Sequence, residues 1–135
     1  MKHNLTNAQI SVLYEGIQAF INSPDLNMKA IDKVHMLRNK NTLESLYNAF
    51  NEVRRELIIK HGDLNEESTE YKLTDPEKVN AFIEEITPVI NETINDIDLF
   101  HININAIDDK VDIKTIESLL EIIDDEVTTS SDIKE

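Results

Sequence analysis

The chain has 135 residues, no cysteine, 40% apolar and 30% charged residues, and a formal net charge of −14. This is a common length for one domain. The lack of cysteine excludes disulfides, thiol nucleophiles and thiolate metal sites.

The charge is unevenly placed: residues 1–61 hold 8 Lys/Arg against 6 Asp/Glu, while residues 62–135 hold 5 against 21. The second half should repel nucleic acid and anionic membranes and attract basic partners; the same excess also serves solubility. No basic-then-apolar leader opens the chain, and no apolar run reaches the roughly eighteen residues of a membrane span. The expected setting is cytoplasmic, or a particle assembled there.

The first predicted helix begins at Thr6. Thr6 and Gln9 have capping-box spacing, and Leu5 with Ile10 forms a hydrophobic staple. Ile10, Leu13, Tyr14, Ile17, Phe20 and Ile21 make one apolar stripe, with Gly16 lowering helix propensity inside it. Asn22-Ser23-Pro24-Asp25 reads as the break that follows.

A second helix is expected from about Asn27 to Lys60, roughly 50 Å if unbroken. Met36, Leu43, Leu46, Phe50, Val53 and Leu57 follow the seven-three-four spacing of a coiled-coil-like seam. That seam packs either on the first helix or on a partner. Ile31, Val34 and Leu37 precede it slightly out of phase, and Arg38-Asn39-Lys40-Asn41 leaves room for a bend or break. Gly62 suits a left-handed position after the helix.

Residues 63–75 read as a mobile acidic connection, with a short extended piece at Tyr71–Leu73. A third helix starts at Asp75-Pro76-Glu77, with Asp75 as cap and Pro76 at the first position. Val79, Phe82, Ile83 and Ile86 form its stripe, and Pro88 ends or kinks it. Asp96–Asn105 alternates as one strand, its phase shifting between Leu99 and Phe100 as at a bulge. Lys2–Leu5 is its expected partner. A fourth helix is expected over Ile113–Asp125, capped by Asp112 and striped by Ile116, Leu119, Leu120 and Ile123.

The fold expectation is α+β and helix-dominated: four helices, one long and central, with a minimal two-stranded β element. Residues 1–127 form a single helical domain, and 128–135 a flexible acidic tail.

The chemistry-bearing motifs are mostly negative. Asp108-Asp109-x-x-Asp112 lacks the glycine and spacing of a calcium loop and reads as a turn entering a helix N-terminus. His3, His35, His61 and His101 make no zinc-ligand pattern. His101 reads as a surface position of the strand, and His61 as a favourable charge at a helix C-terminus. With only two glycines, Gly16 and Gly62, a phosphate loop and a nucleophile elbow are excluded. Arg38, Lys40, Arg54, Arg55 and Lys60 make too small a basic patch for direct nucleic-acid binding. No enzyme, metal or cofactor is expected.

The order of features, however, is suggestive. Leu5-Thr6-Asn7-x-Gln9-Ile10, the long helix with Arg38-Asn39 and its close on Ile59-Lys60-His61-Gly62, and the turn into Asp75-Pro76-Glu77-Lys78 recur in order. With the Ile-rich strand and Leu119-x-x-Ile122-Ile123, the chain resembles, to about residue 124, a family of small uncharacterised phage- and prophage-encoded proteins. The resemblance carries no catalytic residues. It implies a virion component or assembly factor in the host cytoplasm or the virion, contacting itself or other phage proteins. Expected contact residues are Met36, Leu43, Leu46, Phe50, Val53 and Leu57 on the seam, with Ile102 and Ile104 on the strand edge. The alternative is an acidic, DNA-mimicking inhibitor of a host DNA-binding or defence protein.

Overall fold

The structure, a computed structural model, describes residues 1–23, 27–65, 67, 70–108 and 110–124. The expected tail at 128–135 lies outside them, as do Pro24 and Asp25 of the first break. The described elements are β1 (Lys2–Thr6), α1 (Asn7–Ile21), α2 (Ala30–His61), β2 (Asp63–Asn65), β3 (Glu70–Lys72), α3 (Pro76–Ile90), β4 (Thr93–Asp98), β5 (Ile102–Asn103), α4 (Ile113–Ser118) and β6 (Ile123–Asp124). The architecture is α+β and helix-dominated, with four helices among the described residues. No described helix is long and apolar enough to cross a membrane.

Helix α1 starts where its local chemistry dictates. The Thr6 hydroxyl accepts from the Gln9 N–H at 3.2 Å, and the Gln9 side chain accepts from the Thr6 N–H at 2.9 Å. These two bonds satisfy donors that the first helical turn leaves orphaned. Its stripe, Ile10, Leu13, Tyr14, Ile17 and Phe20, is buried against α2. Each large apolar side chain so buried contributes about 1.5–3 kcal/mol.

Helix α2 runs 32 residues without a break, passing straight through Arg38–Asn41. Its buried face is Met36, Asn39, Leu43 and Phe50. The seam is therefore filled from within the chain at Met36, Leu43 and Phe50, while Val53 stays exposed. The helix ends at Gly62, but not in a left-handed conformation: Gly62 has φ −85° and ψ 167°. A Cβ there would strike the Ile58 carbonyl oxygen and lie 3.2 Å from that of Lys72. The glycine serves the close approach of the α2 end's own carbonyl, with β3 a tight second neighbour, rather than handedness.

The described residues of the acidic connection include two short strands. β2 and β3 pair antiparallel, with Asp63 opposite Lys72 and Asn65 opposite Glu70. The Lys78 ammonium bonds the Asp63 carboxylate, pinning the hairpin to α3. Asp75 caps α3 by accepting from the Glu77 N–H, and Pro76 opens the helix. Pro88 does not end it: α3 runs on to Ile90. This close to the terminus, the missing N–H deprives only one carbonyl of its partner.

Glu85 of α3 ties back to the end of α2, 2.7 Å from Lys60 Nζ and 2.9 Å from His61 Nε2. The Lys60 hydrogen bond, then that of His61, holds the Glu85 carboxyl below the ordinary glutamate value. The folded value is depressed, so this stabilisation is present above the unfolded glutamate pKa and fades as pH falls through the folded one. In a carboxyl-carbon NMR titration, Lys60→Met is expected to move the Glu85 midpoint upward. A midpoint that stays put would remove the pairing from the account.

The predicted strand 96–105 is two strands in two sheets. β4 pairs antiparallel with β1, the expected partner, with His3 opposite Ile97 and Leu5 opposite Ile94. The bulge lies earlier than Leu99–Phe100: between those pairs β4 has one extra residue, and Asp96 takes φ 60°. Its N–H is met by the Asn4 side chain at 3.0 Å. β5 pairs in parallel with β6, Ile102 opposite Ile123.

Helix α4 is shorter than the predicted 113–125. Asp112 caps it, but it stops at Ser118; a 3-10 turn at Leu120–Ile122 then leads into β6. This change of period buries Leu119 and Ile122 and leaves Leu120 exposed.

Candidate functional site

The most structured polar constellation lies where β1, the break between β4 and β5, and β6 converge. Three distant segments meet there, each placed by a local cause. Alternation in β1 buries Leu5 and leaves His3 half-buried. Asn39 of α2 sets the break. Its side chain is fully buried; Nδ2 donates to the Phe100 carbonyl at 2.8 Å, and Oδ1 accepts from the Phe100 N–H at 2.8 Å. The amide thus does for Phe100 what a neighbouring strand does elsewhere. The Phe100 ring stacks on His35 at a centroid distance of 4.1 Å and an interplanar angle of 4°. The next residue, His101, is turned inward, its side chain 14% exposed.

His101 Nδ1 donates to Asp124 Oδ1 at 2.8 Å. A carboxylate can only accept, so this fixes the proton of neutral His101 on Nδ1 and leaves a bare lone pair on Nε2. That lone pair faces His3 Nε2 at 2.7 Å, and His3 donates. The rings meet edge to edge, with centroids 4.9 Å apart and planes inclined by 29°. Burial holds His3 below the ordinary histidine value; the His101 ring acts in the same direction, and Glu121 opposes it. Among the described residues the relay Asp124–His101–His3 ends at His3.

Beside it opens a groove of ≈ 590 Å³, lined in part by Arg38, Asn41, Thr42, Asp98, Phe100 and His101. Arg38, Asn41 and Thr42 share a helix face with Ile31 and Val34. Those two side chains are exposed, at 57% and 39%, as is Phe100 at 40%.

The residues expected to meet a partner are scattered by the fold. Met36, Leu43 and Ile102 are core residues, and Phe50 is buried. They were expected on a contact surface, but α1 and the small sheets occupy that side. Leu46 and Leu57 are half-buried. Val53 and Ile104 are exposed and lie on separate elements. Arg54 and Arg55 are exposed on α2. The Asp108 and Asp112 carboxylates accept from the backbone of Lys110 and Lys114, the turn role expected of them; Asp109 lies outside the described residues.

The histidine relay was not visible in the sequence, because His3 and His101 are 98 positions apart. His101 is not the surface position its strand pattern suggests. The apolar face at Ile31 and Val34 did leave a signal, being out of phase with the seam.

Among the described residues, no three or more His, Cys, Asp or Glu side chains converge on a common point. Two imidazole nitrogens do face each other. Neither a family model, nor a curated protein, nor a solved structure matches the chain.

Proposed function

We propose that the chain is a non-enzymatic, phage-encoded protein that acts through protein–protein contacts, as a virion structural component or assembly factor in the host cytoplasm or the virion. The observation that carries this reading is the exposed apolar pair Ile31 and Val34, on the α2 face that also carries Arg38 of the groove, with Phe100 exposed in the groove itself. Exposed apolar side chains grouped beside a concave surface are the usual mark of a contact site. The ordered motifs from Leu5 to Ile123 support the phage assignment by resemblance.

The net charge of −14 favours a second reading, an acidic inhibitor that captures a basic host protein. Mass spectrometry of purified virions, with a pull-down from infected cells, separates the two. Virion abundance, lost with Ile31→Glu/Val34→Glu, is the expected result. Absence from virions with stoichiometric, salt-sensitive capture of a basic host protein sinks the structural reading.

A further inference from the structure

We propose that His3 and His101 form a two-histidine site for a divalent transition-metal ion of the zinc, nickel or copper class, with water completing its coordination. The two Nε2 atoms face each other at 2.7 Å, in hydrogen-bond geometry. Imidazole nitrogen is the preferred donor for this group of metals. Two nitrogens on one tetrahedral zinc, each about 2.0–2.1 Å from it, stand about 3.3 Å apart. The two nitrogens therefore need to part by roughly half an ångström, and both rings to tilt until their lone pairs meet at one point, to admit an ion.

The surroundings fit the same use. A metal-bound histidine almost always gives its other ring N–H to a carboxylate or carbonyl, which fixes the tautomer and raises the basicity of the ligating nitrogen. His101 has that arrangement, through Nδ1 and Asp124 at 2.8 Å. Its Nε2 already has the tautomer that binding requires. His3 must change tautomer: the proton on Nε2 moves to Nδ1, so His3 stays neutral and offers a lone pair in place of a donor. His3 sits on β1 and His101 beside β5, so an ion would clip the N-terminal strand to the last described elements.

The site differs from a closed structural zinc centre, because the described residues supply two nitrogens and no third converging ligand. Moderate affinity follows, together with exchangeable positions on the ion. His35 and His61 are engaged elsewhere, with Phe100 and Glu85.

The test is calorimetric titration of the full chain with zinc chloride in chelator-free buffer. One saturable equivalent is expected. His3→Gln is expected to abolish it and Asp124→Asn to weaken it about 10–100-fold. His35→Gln and His61→Gln should leave it unchanged. Far-UV circular dichroism checks that the variants fold. Long-range ¹H–¹⁵N spectra of the wild type give a readout that needs no variant: zinc should shift Nε2 of both His3 and His101. The proposal is overturned by absence of saturation, by unchanged affinity in His3→Gln, or by zinc-dependent shifts confined to His35 or His61.

Discussion

Asn39→Asp is expected to yield a protein whose stability rises as the pH falls. Asn39 is fully buried and serves both backbone groups of Phe100, one as donor and one as acceptor. An aspartate keeps the acceptor for the Phe100 N–H but turns the donor into a second acceptor against the Phe100 carbonyl. Ionised, it is also a buried charge without a cation. Both effects favour the protonated acid, whose O–H can donate to that carbonyl, so the folded pKa lies above the unfolded one. Stability in a group so raised is fully present below the unfolded pKa and is lost as pH climbs through the folded value.

At neutral pH, the loss relative to wild type is expected to be about 3–5 kcal/mol, the scale of an uncompensated buried charge. Asn39→Leu replaces the amide with a similar volume and leaves two orphaned backbone groups, at a cost of about 1–3 kcal/mol each. Its loss should not depend on pH. Urea denaturation at acid and neutral pH distinguishes the two variants. A pH-independent loss in Asn39→Asp would show that Phe100 does not depend on this amide.

Gly16→Ala is expected to destabilise, although alanine is the better helix former. The propensity gain is about 1 kcal/mol. Against it stands the contact with α4: a Cβ on Gly16 would strike the Ser118 hydroxyl and lie 2.8 Å from Ser118 Cβ. The hydroxyl can rotate aside, but the Cβ is fixed to the α4 backbone, so α4 itself must shift. Overpacking of this kind costs typically 1–3 kcal/mol. The net expectation is a loss of up to about 2 kcal/mol, combining these opposed effects. In a Ser118→Gly background the obstruction is gone and the same substitution should turn neutral or stabilising. A double-mutant cycle measures that coupling directly; zero coupling would mean that α1 and α4 do not approach as closely as described.

What was legible in the chain was what neighbours within one turn decide. Thr6 with Gln9, Asp75 with Pro76, and Asp112 all start helices through contacts two or three residues away. The apolar stripes of α1 and α2 likewise follow from local period. The β1–β4 pairing was legible because β1 was the best partner remaining.

What was hidden depends on distant segments. The single strand 96–105 became two because Asn39, some sixty positions earlier, takes hold of Phe100. The seam residues Met36 and Leu43 looked like a contact surface, since periodicity shows an apolar face but not what covers it. His3, His101 and Asp124 have no common local pattern, and only the tertiary fold makes them a unit.

The pairing of β1 also orders events during synthesis. Helices α1 and α2 can meet as soon as residue 61 emerges, because their contacts lie within one hairpin. The first strand cannot complete its own contacts then. Its ladder partner is β4, and the bond from His3 reaches past it to His101. A nascent chain therefore carries Leu5 and its unpaired backbone until β4 is made. Closing so long a loop is entropically slow to nucleate. Strand β1, which precedes every helix, is thus among the last described elements to find its place, so a truncation that removes β4 and spares α1, α2 and α3 still leaves β1 unpaired.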